Sequence, residues 1–362
     1  MRFNGHLLVA SLLAAVSSAW GGEVRRVGVI NWDAALPTNT FFGLHVARSL
    51  GPEKFRNRTP YFAKVGAPDV IDFPVRTAED YDREFGHAID AGIDYFAYCW
   101  YDACPPSKSI VEGKAARADG HLDELTRTRR FHLRSGLRNR LSLCAILVTA
   151  HPYSDQTLLE LALTMREPCY EKVGGRPLVY FFMGKLDEPL TRLKRFCREA
   201  GAGEPYAVFM DNIGDSPKSG FASADALSAY ACCPAAADYR SLMDTCLAFN
   251  SARAQSGKPV IPFLTVGWDP TPRIERPVPW VGYAAASYAP PATAEELLEG
   301  ARRMNGWIRE HRSACPTGHV LVFAWNEFEE GGWICPTVGK GGAVDRSRLV
   351  AFRSVVRELK GM

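Results

Sequence analysis

Short apolar runs alternate with amphipathic polar stretches along almost the whole chain, and that alternation predicts its architecture. Val27-Gly28-Val29-Ile30, within Arg25 to Trp32, reads as a first strand. Further strands are predicted at Ile93 to Tyr101, Leu141 to Val148, Leu178 to Met183, Tyr206 to Met210, Ala226 to Cys232 and Val260 to Val266, with an eighth at Val320. Between them lie helical patterns. Thr77 to Ala91 has a capping threonine, acids in its first turn, and Tyr81, Phe85, Ala88 and Ile89 on one face. Others are read around His121 to Leu137, Asp155 to Met165, Glu188 to Ala200, Leu242 to Ala254, Ala294 to Glu310 and Arg346 to Leu359. The stretch after the first strand is interrupted by Pro37, Pro60 and Pro68 and is expected to be irregular.

Strands separated by helices pair in parallel through right-handed crossovers. Gly28 opens no dinucleotide fingerprint and no phosphate-binding loop is present, so a count of eight favours a closed barrel over an open sheet. The expected fold class is α/β: one (β/α)8 barrel with elaborated loops over residues 23–362.

The N-terminus changes the picture of where the chain works. Met1-Arg2, an apolar stretch from Leu7 to Val16, and Ser17-Ser18-Ala19 form the pattern of a secretory signal, expected to occupy residues 1–22. The expectation is a secreted or periplasmic protein, free of the membrane once the signal is cleaved. A net charge of +3 with no basic tract points away from nucleic acid. The ten cysteines of an exported chain permit disulfides without defining their pairing.

Candidate chemistry gathers at the ends of the predicted strands. The buried run ending at Ala324-Trp325 empties into Asn326, Glu327, Phe328, Glu329 and Glu330, closed by Gly331-Gly332. Two carboxyl groups are the minimum for cleaving a glycosidic bond, one to protonate the departing oxygen and one to generate or stabilise the attacking group. If the barrel closes, the same face also collects Trp32, Asp33, Trp100, Tyr101, His151, Asp211, Asn212, Trp268 and Asp269. Flat rings cover the C–H face of a sugar while carboxylates and amides take its hydroxyls. No nucleophile elbow, zinc-binding helix or metal-ligand spacing is present, and neither a cofactor nor a metal is expected.

Asn326-Glu327-Phe328-Glu329-Glu330-Gly331 resembles the Asn-Glu-Trp-x-Glu-Gly signature of the WbsX-like proteins and of glycoside hydrolase family 99. Gly267-Trp268-Asp269-Pro270-Thr271-Pro272-Arg273 is similar to the Gly-Trp-Asp-Asn-Thr-Pro-Arg segment of the WbsX-like branch, which adds Arg273 to the candidate substrate-binding set. Gly92 to Phe96 with Trp100-Tyr101, and Gly175-Arg176-Pro177, resemble their second- and fourth-strand regions. The resemblance implies a retaining hydrolase of α-linked glycans, typified by endo-acting α-mannosidases, with an oligosaccharide or polysaccharide as substrate. It implies that Glu327 deprotonates the sugar's own 2-hydroxyl, and that Glu330 protonates the leaving oxygen and later activates water. Phe328 stands in place of the motif tryptophan, Pro270 in place of asparagine, and Cys335 where many relatives carry an acid. Both catalytic positions are intact. The competing readings are a non-catalytic glycan-binding barrel and a WbsX-type glycosyltransferase. The signal segment weighs against the transferase, whose nucleotide-sugar donor is cytosolic.

Overall fold

The computed structural model describes residues 23–102, 121–213, 221–234, 236–283 and 288–362. Eight strands form the central sheet: β1 (Arg26–Asn31), β2 (Tyr95–Trp100), β3 (Ser142–Val148), β4 (Arg176–Phe182), β5 (Tyr206–Ile213), β6 (Ala226–Cys232), β7 (Phe263–Thr265) and β8 (His319–Phe323). All neighbours pair in parallel in the order β7-β8-β1-β2-β3-β4-β5-β6. The ring is nearly closed by a single parallel bridge between Leu227 and Val260. There the Leu227 amide donates to the Pro259 carbonyl and the Ile261 amide to the Leu227 carbonyl, both at 2.9 Å. The seventh strand is shorter than its apolar run because Pro259 and Pro262 have no N–H to give a ladder. The (β/α)8 barrel is thus the architecture, with its last seam thinly sewn.

The helices are α1 (Phe41–Leu50), α2 (Ala78–Asp90), α3 (Arg127–Arg134), α4 (Asp155–Thr164), α5 (Asp187–Ala200), α6 (Tyr239–Ala254), α7 (Thr271–Glu275), α8 (Ala294–Glu310) and α9 (Ser347–Lys360). Thr77 and Thr293 each form a full capping box, with Asp80 and Glu296 reaching back. Helix α1 lies inside the segment expected to be irregular. Thr40 caps it by accepting from the Gly43 amide, and Phe42, Val46, Ala47 and Leu50 are buried. The prolines flank this helix and do not enter it.

At the N-terminal end of the barrel the lumen is plugged. Gly28 leaves room for the Tyr95 ring, since a Cβ there would lie 2.0 Å from it. The Tyr95 and Tyr180 hydroxyls meet at 3.0 Å. Below them Arg26 grips Glu171 through Nε at 2.9 Å and through Nη2, and His319 Nε2 lies 3.1 Å from the same carboxylate.

The nine cysteines among the described residues are free thiols, so no bridge joins any two of them; Cys104 and the expected signal segment lie outside the described residues. No helix among the described residues is long and apolar enough to cross a membrane.

Candidate functional site

Strand alternation decides which of the expected residues meet. Along β2, Tyr95 and Cys99 face the lumen, where they touch Tyr180 and Tyr230. Tyr101 continues that face, with the Trp32 indole close to its hydroxyl. Its ring meets His151 edge-on at 5.8 Å. Trp100 has the opposite parity and packs under the Arg129 guanidinium of α3 at 3.9 Å. On β1 the same rule sends Trp32 into the mouth and turns Asp33 outward. Asp33 accepts from the Thr128 amide at 2.6 Å and hydroxyl at 2.5 Å, and burial pushes its carboxyl up to about 6. On β5, Asp211 is held by Arg253 of α6. Asn212 follows at a bulge, half-buried, with its Oδ1 unpartnered among the described residues.

The structure therefore does not bring Asp33, Trp100 or Asp211 into the mouth. Each belongs to a doublet at a strand end, and only one member of a doublet can face inward. Asp269 is likewise committed elsewhere. It binds Arg58, accepts from the Thr271 amide at 3.0 Å, and its own amide donates to the Glu330 carbonyl at 2.6 Å. Asn326 is a clip between chain segments: its Oδ1 accepts from the Trp32 amide at 2.9 Å and its Nδ2 donates to Asn31 at 3.1 Å. Trp268 packs between Tyr283 and Phe323, 5.7 and 5.8 Å away.

What does converge is an acid cluster around Arg273. Gly331 and Gly332 make the tight return that places it. Gly331 has φ 79°, and a Cβ on Gly332 would lie 2.2 Å from the Phe323 ring. Arg273 enters from α7, with its guanidinium 4.9 Å from the Trp32 ring and 5.9 Å from Trp280. Its Nη1 donates to Glu330 Oε1. Its Nη2 donates to Glu329 Oε2 at 3.1 Å and stands 3.7 Å from Glu327 Oε2. The Tyr283 hydroxyl also donates to Glu330 Oε1, and Ser49 of α1 donates to Glu329 Oε1. Glu327 Oε1 accepts from the Tyr230 hydroxyl at 2.8 Å, while its buried Oε2 makes no hydrogen bond among the described residues.

All three acids are buried, and one guanidinium touches all three. Burial first, and then the negative charge of Glu330, push Glu327 well above the usual carboxylate range; Arg273 and Tyr230 pull the other way. For Arg273 burial alone would weaken its hold on the proton, but the surrounding acids more than reverse that.

Tyr230, Tyr283, Ser49 and Trp280 carry much of this geometry, yet the sequence gives them little prominence. Tyr230 had one available signal: with Ser228 it places polar groups on one face of an otherwise apolar strand. Among the described residues no group of three or more His, Cys, Asp or Glu side chains is arranged to hold a metal ion.

No protein-family model matches the chain, and no curated protein does. Solved structures do. The GH99 endo-alpha-mannosidase from Bacteroides thetaiotaomicron aligns over 93% of this chain and 98% of its own, at 14% identity and a TM-score of 0.52. Its complex with BIS-TRIS-Propane aligns over 93% and 97%, also at 14% identity, with a TM-score of 0.51. At that identity the likeness establishes a shared barrel fold.

Proposed function

We propose that this chain is a retaining glycoside hydrolase acting on an α-linked glycan, with Glu327 and Glu330 as its working pair. The observation that carries the reading is Glu327 Oε2: a buried carboxylate oxygen with no hydrogen-bond partner among the described residues, beside a second carboxylate at the C-terminal mouth of a barrel. Buried polar atoms are ordinarily paired, and one left open at a strand end is a place for a substrate hydroxyl. The inward-facing rings of Trp32 and Tyr101, with His151 and Asn212, supply the apolar and polar surfaces that a sugar needs.

The family 99 resemblance implies the base role for Glu327, whose raised proton affinity makes its ionised form the stronger base and confines that form to higher pH. A hydroxyl is a very weak acid, and a carboxylate that prefers its neutral form is a stronger base toward it. Glu327 would take the 2-hydroxyl proton as that oxygen attacks the anomeric carbon. Glu330, carrying the pair's proton in the reacting complex while Glu327 is ionised, would protonate the departing oxygen, leaving an epoxide-like intermediate. Water, deprotonated by Glu330, would then open this ring while Glu327 returns the proton to the 2-oxygen. Shared fold with the endo-α-mannosidases supports α-linked substrates. Residues 1–22 would be removed on export, giving a mature end near Glu23.

The test is to incubate the purified mature protein with a panel of α-linked oligosaccharides and polysaccharides and measure new reducing ends. Cleavage by the wild type, lost in Glu327→Gln and Glu330→Gln, is the expected result. Glycan binding without any cleavage would assign the barrel to recognition instead.

A further inference from the structure

We infer that Tyr230 is a positioning residue that dedicates Glu327 Oε1 to the protein and leaves Oε2 as the reacting oxygen, with Cys99 orienting the Tyr230 hydroxyl from behind. The inference rests on the hydrolase reading for its kinetic consequences, but not for its geometry.

A carboxylate that performs proton transfer must present one oxygen in a fixed direction, and a free carboxyl end flips between its two oxygens. Here Oε1 accepts from Tyr230 at 2.8 Å, whereas Oε2 accepts no hydrogen bond among the described residues and stands 3.7 Å from Arg273 Nη2. Tyr230 is itself held firmly. Its ring stacks on Phe182 at 4.2 Å with 11° between planes, and its edge meets Phe323 at 5.9 Å. Burial holds its phenol far above the ordinary tyrosine range, so it remains a donor at any working pH. A phenol has one hydrogen, and that hydrogen is used on Glu327. Cys99 Sγ lies 3.3 Å from the same hydroxyl oxygen and is therefore the donor in that contact. Burial likewise keeps the Cys99 thiol protonated. The chain S–H to O–H to carboxylate strengthens each link through mutual polarisation.

The groups facing Glu327 come from four places. Tyr230 projects from β6, and Cys99 and Tyr101 from β2 and its end. Arg273 and Tyr283 come from α7 and the segment after it, and Glu329 and Glu330 from its own turn. Among the described residues only Tyr230 makes a hydrogen bond to the Glu327 carboxyl. Removing it withdraws a donor from the charged form, so the midpoint for ionising Glu327 must rise.

The experiment compares wild type, Tyr230→Phe, Cys99→Ala and Cys99→Ser, with folding checked by thermal melting. Glu327 is titrated by infrared spectroscopy of its carboxyl group, as a difference against a Glu327→Gln background. The midpoint should move up by about one pH unit or more in Tyr230→Phe. It should move up by a few tenths in Cys99→Ala and return in Cys99→Ser, which keeps a donor. In turnover, Tyr230→Phe should lower kcat about 10- to 100-fold with KM nearly unchanged, and shift the acid limb of the pH profile upward. An unchanged midpoint in a folded Tyr230→Phe overturns the inference, as does a uniform loss of activity at every pH without a shift. If Tyr230→Phe does not fold, an unmoved midpoint in Cys99→Ala overturns it. The infrared arm needs no substrate. A shifted midpoint in a protein that cleaves no glycan would retain the positioning role and discard the hydrolase reading.

Discussion

Both ends of this barrel bury acid against arginine, and they do so to opposite effect. At the N-terminal end Glu171 shares Arg26 and His319, and the nearby Asp94 is served by Arg26 at 3.5 Å and Lys360 at 2.7 Å. Burial alone would raise the Glu171 carboxyl, but the His319 and Arg26 contacts hold it below the ordinary range. At the C-terminal end three acids share one guanidinium, and Glu327 is pushed up. The ingredients are alike; the ratio of cation to carboxylate differs. A matched cluster keeps its acid ionised, whereas an undersupplied one leaves an acid holding its proton more tightly.

The widest separation between the two ends should appear in mutant kinetics. Glu327→Gln and Glu330→Gln are each expected to lower kcat/KM on a natural glycan by about 10²–10⁴-fold. Glu171→Gln should leave kcat/KM unchanged and instead lower stability in a urea melt. The loss should be roughly 2–3 kcal/mol, less than for a fully enclosed pair because Arg26 is a third exposed. Equal kinetic losses at both ends would erase the distinction. Arg273→Met, which strands three buried acids, should cost about 3–5 kcal/mol of stability. Arg273→Lys should recover only part of this, because an ammonium cannot reproduce the forked contacts to Glu329 and Glu330.

A leaving-group comparison divides the upper pair itself. On an aryl glycoside whose phenol is a good leaving group, Glu330→Gln should regain much of its activity and Glu327→Gln little, measured as single-turnover rates. Recovery by Glu327→Gln alone would reverse their roles.

The smallest effect is in the pH dependence of stability, and it has opposite sign at the two ends. Glu327 holds its proton more tightly when folded than its ordinary 4.5, so its share of stability is complete below that pH and lost as pH rises through the raised value. Asp33 behaves the same way between its ordinary 3.8 and about 6. Glu171 holds its proton less tightly, so its share is present above 4.5 and lost as pH falls through its lowered value. Melting temperature followed across pH should therefore lose its high-pH decline in Glu327→Gln and its low-pH decline in Glu171→Gln.

Strands and most helices were readable because burial on both faces writes a parallel strand as a continuous apolar run, as in Ala226 to Cys232. Helix α1 is masked in the sequence by the prolines on either side of it, although Thr40 and the spacing of Phe42, Val46 and Leu50 announce it. The site was legible in its acids and less so in their surroundings. Trp32-Asp33 and Trp100-Tyr101 looked alike as aromatic-polar doublets, yet the aromatic faces the mouth in one and the helices in the other. Parity depends on where a strand begins its pairing, which a run of apolar residues does not record. Tyr230 was obscured for a related reason: a tyrosine inside an apolar run reads as core until its hydroxyl is seen to have a carboxylate to meet.

The thin seam between β6 and β7 is where this barrel is expected to open first. Every other pair of neighbouring strands is laced by a ladder of at least three register partners, whereas this one rests on the Leu227–Val260 bridge. Amide hydrogens of Leu227 and Ile261 should exchange with solvent deuterium sooner than those in the middle of β2 or β3. Tyr230 lies on one lip of the seam, and the chain leaving the other lip leads to Arg273. Widening there would move the Tyr230 hydroxyl and the Arg273 charge away from Glu327 together. Hydrogen exchange at the seam would then also report how long the grip on that one carboxyl group lasts.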